Sequence, residues 1–135
     1  RLALPGDLLY PAKLSIEHLQ LALTYDPQAQ ARLQIELTQH RTTEIVQLVL
    51  ENENEYLPES VSRLEAQNDQ GLEDLKNAQD DDAIQAQVLI EAMKTMLENE
   101  NFILTVLRDL EPAYAYTDLT QAISATNAGL NALQN

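Results

Sequence analysis

Apolar residues recur along this chain at intervals of three and four, and no stretch alternates with the period of two that marks a half-buried strand. Between Pro11 and about Thr24, Leu14, Leu21, Ala22 and Tyr25 share a helical stripe with His18, and Ile16, Leu19 and Leu23 widen it. Asp26-Pro27 then restarts the pattern, an acceptor for free N–H groups followed by proline at a first helical position. The second helix is predicted from Pro27 to about Glu55, with Leu33, Ile35, Leu37, Ile45, Val46, Leu48, Val49 and Leu50 as its apolar positions.

Pro58 marks the next break. Val61, Leu64, Leu72 and Leu75 follow at heptad-like spacing with Asn68 in the seam, and Gly71 weakens that helix. The carboxylates Asp80-Asp81-Asp82 suit a helix start. A fourth helix is predicted from about Asp82 to Leu110, with Leu89, Met93, Met96, Ile103, Leu107 and Leu110 as its stripe and Glu100 interrupting it. Pro112 is the expected stop. A last helix after Thr117 carries Leu119, Ile123, Leu130 and Leu133. The second and fourth helices would each be roughly 40 Å long at ~1.5 Å per residue. The expected fold is all-α: one domain over 1–135, an elongated antiparallel bundle of four to five helices, two of them long, with residues 1–10 as an extended lead-in packed on the bundle.

Composition narrows the partners. The 135 residues include 22 Asp or Glu against 8 Lys or Arg, a formal charge of -14. Nucleic acid is disfavoured by that balance, and so are anionic membrane surfaces. A protein partner or self-association fits better. The absence of cysteine removes disulfides, thiolate metal sites and thiol nucleophiles from consideration. No apolar run approaches the ~20 residues of a membrane helix, so direct membrane insertion within this chain is not expected. The chain begins at Arg1 rather than methionine, which implies a preceding tag, leader or membrane anchor.

Candidate chemistry is sparse. The two histidines, His18 and His40, would sit roughly 10 Å apart if the first two helices fold back at Tyr25-Asp26, too far to share one ligand. His18 reads as a partly buried packing residue. His40 has Glu36 and Glu44 at i-4 and i+4, which reads as a solvated ion-pair face. His18, Glu36, His40 and Glu44 are the only candidates for a metal or small-ligand sensor, and no cofactor is implied. The paired Glu-x-x-His signature of di-iron bundles is missing. Asp80, Asp82 and Glu91 hold positions one, three and twelve of a calcium loop, but Gln85 and Ile84 stand where glycine and an oxygen ligand belong, so capping is the better account. The echo of Leu50-Glu51-Asn52-Glu53-Asn54 in Leu97-Glu98-Asn99-Glu100-Asn101 reads either as chance in a Glu- and Asn-rich chain, the favoured account, or as a duplicated helical hairpin with two equivalent carboxylate clusters. No catalytic constellation is found, and no enzyme is expected.

The most specific segment is Leu4-Pro5-Gly6-Asp7-Leu8-Leu9-Tyr10-Pro11-Ala12-Lys13, followed by Leu19-Gln20-Leu21-Ala22-Leu23-Thr24, Ala31-Arg32-Leu33 and Arg41. Over roughly its first third the chain resembles an uncharacterised family of bacterial helical domains with the pattern P-G-D-x-L-Y-P-x-K. That resemblance implies an extracytoplasmic, cell-envelope domain, membrane-anchored in its full-length protein, with no biochemical activity attached. On physical grounds Gly6 allows a tight turn and Asp7 accepts a backbone N–H. Leu8, Leu9 and Tyr10 are expected to form an apolar lid, and Lys13 to pair with Asp7 or Glu17. Pro5, Gly6, Asp7, Tyr10, Pro11 and Lys13 are thus given a structural role at the bundle mouth. The functional expectation is a non-enzymatic interaction or sensory domain, with a ligand sensor or an oligomerisation module as alternatives.

Overall fold

The computed structural model describes residues 3–110 and 113–134, apart from the side chains of Asp81 and Tyr114. Five α-helices follow one another: α1 (Tyr10–Ala22), α2 (Pro27–Leu50), α3 (Leu57–Asp81), α4 (Ala83–Leu110) and α5 (Tyr116–Gln134), with 3₁₀ turns at Asn54–Tyr56 and Ala113–Ala115. The described residues contain no strand. Short connections make successive helices run antiparallel. The molecule is the expected all-α bundle, with three long helices of 24, 25 and 28 residues rather than two.

The third long helix is α3, which continues through Gly71 instead of weakening there. A Cβ at Gly71 would stand 3.1 Å from the Met93 Cε, so the missing side chain lets α4 approach closely. Local signals set the boundaries. Asp26 accepts from the Ala29 N–H at 3.0 Å, with Pro27 next to it. Asp82 receives the N–H groups of Ile84 and Gln85, both at 3.1 Å, which is the capping role expected of that acidic run. The expected stop at Pro112 lies outside the described residues. α2 ends five residues earlier than predicted, because Asn52 turns the chain with φ 58°. The echo therefore has no structural counterpart: its first copy forms that turn and its second lies within α4.

Helix α3 packs against α2, α4 and α5, and α1 approaches the bundle chiefly through α2. The core is divided in two. One apolar cluster includes Ile45, Leu48, Leu57, Leu64, Leu104 and Leu119, and Leu4 joins it. The other includes Ala31, Leu75, Leu89, Met93 and Leu97. Between them each long helix contributes buried polar residues: Thr38 and Thr42 from α2, Asn68 from α3, Glu100 from α4, with Thr126 from α5. On α4 the buried stripe runs through Leu97 and Leu104, so Ile103 and Leu110, expected inside, are exposed beside Phe102 and Val106. No helix among the described residues is long and apolar enough to cross a membrane.

Candidate functional site

The amino-terminal motif is built around a turn and a buried charge cluster. Asp7 Oδ2 accepts from the Leu4 N–H at 2.8 Å, and the Asp7 N–H donates to the Leu4 carbonyl at 2.9 Å. Gly6 makes the turn possible with φ 93°, and a Cβ there would land 2.5 Å from the Tyr56 ring. The apolar plug is Leu4 with Pro5, both buried; Leu8 and Leu9, expected as a lid, face solvent. Of the expected lid only Tyr10 is buried.

Pro11 opens α1 next to Tyr10. Tyr10 donates its hydroxyl to Glu44 Oε1 at 2.9 Å and accepts from Arg41 Nη1 at 3.0 Å. Burial first, then the Glu44 charge, raises the Tyr10 hydroxyl far above its usual range, so it stays a donor. Lys13 binds the other Glu44 oxygen and donates to the Ala3 carbonyl at 3.1 Å. It reaches neither of the partners expected for it, Asp7 and Glu17, in an ion pair. Arg41 Nη2 instead donates to both oxygens of Glu17, at 2.6 and 2.5 Å, and its Nε lies 3.4 Å from Glu44 Oε1. Two carboxylates, two cations and one hydroxyl thus balance inside the protein, as buried charges require. The Arg63 guanidinium sits 5.1 Å over the Tyr10 ring and ties the cluster to α3.

The histidine expectations are corrected here. His18 is exposed rather than packed. His40 Nδ1 lies 3.2 Å from Glu17 Oε2, so it joins the cluster instead of an ion-pair face with Glu36 and Glu44. Glu44 is fully buried, and Glu36 borders a separate groove with Gln20 and Arg32. Among the described residues no group of three His, Cys, Asp or Glu could hold a metal ion.

The consequence for α1 is an inverted amphipathic helix. Its buried residues are Tyr10 and Glu17. Ile16, Leu19 and Leu23, one face at i, i+3 and i+7, point to solvent, together with Tyr25. Glu17 is the sole carboxylate between Tyr10 and Ala22 and faces inward, so the outer face carries no formal charge on a chain of -14. Of the apolar stripe read from the sequence, Leu14 and Leu21 do face the bundle, while Ile16, Leu19 and Leu23, expected to widen that face, do not. The signal that could have corrected it was the spacing of Tyr10, Lys13 and Glu17, which puts three polar groups on one face opposite Arg41 and Glu44.

Beneath α1, between α2 and α3, lies a cleft of about 500 Å³. Leu14, Leu21, Leu37 and Ala66 give it apolar walls. Gln30, Gln34, Gln67 and Gln70 add amides, and Arg63 and Asp74 stand along α3.

A second buried group lies deeper. Glu100 is 4% exposed, and neither of its oxygens nor either polar side-chain atom of Asn68 has a well-formed hydrogen bond. Burial raises the Glu100 carboxyl to about 8, with the Thr42 hydroxyl offsetting this in part.

No curated protein matches the chain, and no solved structure does. Residues 2–103 match the family described as Domain of unknown function (DUF5667). The match extends well beyond the amino-terminal motif, through α1, α2 and α3 and into α4. With three quarters of its length matched, the chain belongs to this family of domains of unknown function.

Proposed function

We propose that this chain is a non-enzymatic interaction domain that docks a protein partner on the outer face of α1 and works outside the cytoplasm, next to a membrane anchor. The observation that carries the docking reading is the inversion of α1. Placing Ile16, Leu19 and Leu23 in water forgoes roughly 1.5–3 kcal/mol for each side chain that could be covered. The buried cluster of Glu17, Arg41, Glu44, Lys13 and Tyr10 holds the helix in that orientation. An uncharged apolar face on a strongly acidic molecule suits an apolar protein surface and not a phosphate backbone. The extracytoplasmic placement rests on the resemblance of the P-G-D-x-L-Y-P-x-K segment to membrane-adjacent helical domains.

The test is a photoactivatable crosslinking residue placed singly at Ile16, Leu19 and Leu23 of the full-length protein in its own host, with the exposed Glu73 on α3 as control. Discrete adducts at the three α1 positions and none at Glu73 are expected. No adduct on α1, or the same adducts at both places, would sink the docking reading. Placement is tested separately with Leu19→Cys, since the chain has no cysteine of its own. A membrane-impermeant maleimide should label the variant in intact cells and not the parent protein. Labelling that needs lysis would place the domain inside.

A further inference from the structure

The cleft under α1 has an electrical direction. Its α3 wall presents Arg63, Ala66, Gln67, Gln70 and Asp74 at helical spacing. Arg63 and Asp74 lie eleven residues apart, three turns, so they share a face about 16 Å apart along the axis. At one end, Arg63 spends Nη2 on Glu59 at 2.6 Å, while its Nη1 is buried without a hydrogen-bond partner. At the other end, Asp74 is buried and accepts from the Gln70 amide at 3.1 Å. Asp74 has no cationic partner among the described residues. The neighbouring charges Arg41 and Glu17 are already matched to each other and add no net pull.

A buried guanidinium N–H without a hydrogen-bond partner, on an arginine whose other arm is held by Glu59, and a buried carboxylate without a cationic partner among the described residues ask for a ligand with an acceptor at one end and a cation at the other. The span between them fits four to five residues of extended chain at ~3.4 Å each. The walls supply what such a chain needs: Leu14, Leu21 and Leu37 for apolar side chains, and the amides of Gln30 and Gln70 for its backbone. The cleft volume falls within the range of ordinary small-ligand sites, ~300–1,000 Å³. We infer that this cleft binds a short extended peptide with free ends, its terminal carboxylate on Arg63 and its terminal ammonium on Asp74. The inference is independent of the outer face of α1, which lies on the other side of that helix.

The probe is the pentapeptide Ala-Leu-Ala-Leu-Ala, titrated calorimetrically into the 135-residue chain in three forms: both ends free, acetylated at the amino end, and amidated at the carboxyl end. The free form is expected to bind saturably. Each block should weaken it at least tenfold. In Arg63→Gln the amidated and free forms should bind alike, and in Asp74→Asn the acetylated and free forms should. Arg63→Lys, which keeps the charge without the planar fork, should retain part of the discrimination and guards against a fold lost with the Tyr10 stack. Blocked peptides that bind as tightly as the free one would overturn the inference. So would the absence of any binding at millimolar peptide to a chain whose helical circular dichroism is intact. Crosslinking on the α1 outer face is unaffected by either result, so the two readings fail separately.

Discussion

Arg41 Nη2 donates to both oxygens of Glu17, 24 residues earlier in the chain, and this contact joins α1 to α2 at the centre of a buried cluster with balanced charge. Breaking such a pair from one side leaves a charge stranded in the interior, which costs far more than the intact pair contributes. Arg41→Ala strips Glu17 of its guanidinium, while Glu44 keeps Lys13 and Tyr10, and is expected to lower stability by about 3–5 kcal/mol. Glu17→Ala leaves Arg41 with Glu44 and should cost less, about 1–3 kcal/mol. Hydrogen exchange locates the effect: amides of α1 should lose protection in both variants, while those at the centres of α3 and α4 keep theirs in Glu17→Ala. Uniform loss of protection in Glu17→Ala would mean that α1 is not a separately attached element.

Tyr10 is both donor and acceptor between the two charged pairs. Tyr10→Phe keeps the ring under Arg63 and deletes only the hydroxyl. Hydrogen bonds to charged groups are worth ~1.5–3 kcal/mol, and both neighbours here are charged, so a loss in that range is expected in urea melts. Because burial and the Glu44 charge keep this hydroxyl protonated, the loss should not change between pH 6 and 9. A loss that shrinks across that window would show the hydroxyl ionising.

How much of this was readable beforehand differs by element. The restarts at Asp26-Pro27 and Pro58 and the cap at Asp82 are local chemistry, so the helix order was legible. The core of α3 was too, since Val61, Leu64 and Leu75 are buried as their spacing implies. The breadth of the inward face of α1 was not. Leu14 and Leu21 line the cleft as their spacing implies, but Ile16, Leu19 and Leu23, read as widening that face, are outside, because charges 24 to 34 residues away on α2 take Tyr10, Lys13 and Glu17 inward. The same non-local pairing hid His40, whose i±4 neighbours looked sufficient until α1 brought Glu17 to it. On α4 the apolar spacing points Ile103 and Leu110 inward, but the buried face runs through Glu100 itself, which an apolar pattern does not count.

Gly6 is constrained twice, by a positive φ and by the Tyr56 ring. Gly6→Ala should therefore destabilise the amino-terminal turn by more than the ~1 kcal/mol of a left-handed alanine alone. Tyr56→Ala in the same chain removes the collision but leaves the backbone cost. The double variant is thus expected to recover part of the loss seen in thermal melts of Gly6→Ala. Full additivity of the two changes would mean that the ring and the glycine do not touch.

Glu100 couples the stability of the bundle to pH. Its carboxyl is raised to about 8 by burial, against ~4.3 in an unfolded chain. The folded state therefore holds a proton that the unfolded state releases. Its contribution to stability is complete below about pH 4.3, falls as pH rises, and is lost once pH passes about 8. The wild-type chain should thus weaken between pH 5 and 8. The comparison that isolates Glu100 from the other titrating groups is with Glu100→Gln. Glutamine keeps the size and cannot ionise. The variant should be close to wild type near pH 5 and more stable at pH 8, with a gap on the order of 4 kcal/mol at the upper end. Glu100→Leu, which also removes buried polar atoms that lack a well-formed hydrogen bond, should be at least as stable as Gln at pH 8. Urea melts at pH 5, 6.5 and 8 decide the matter. A gap that does not grow with pH would show that Glu100 is ionised throughout and holds a partner that none of its packed neighbours supplies.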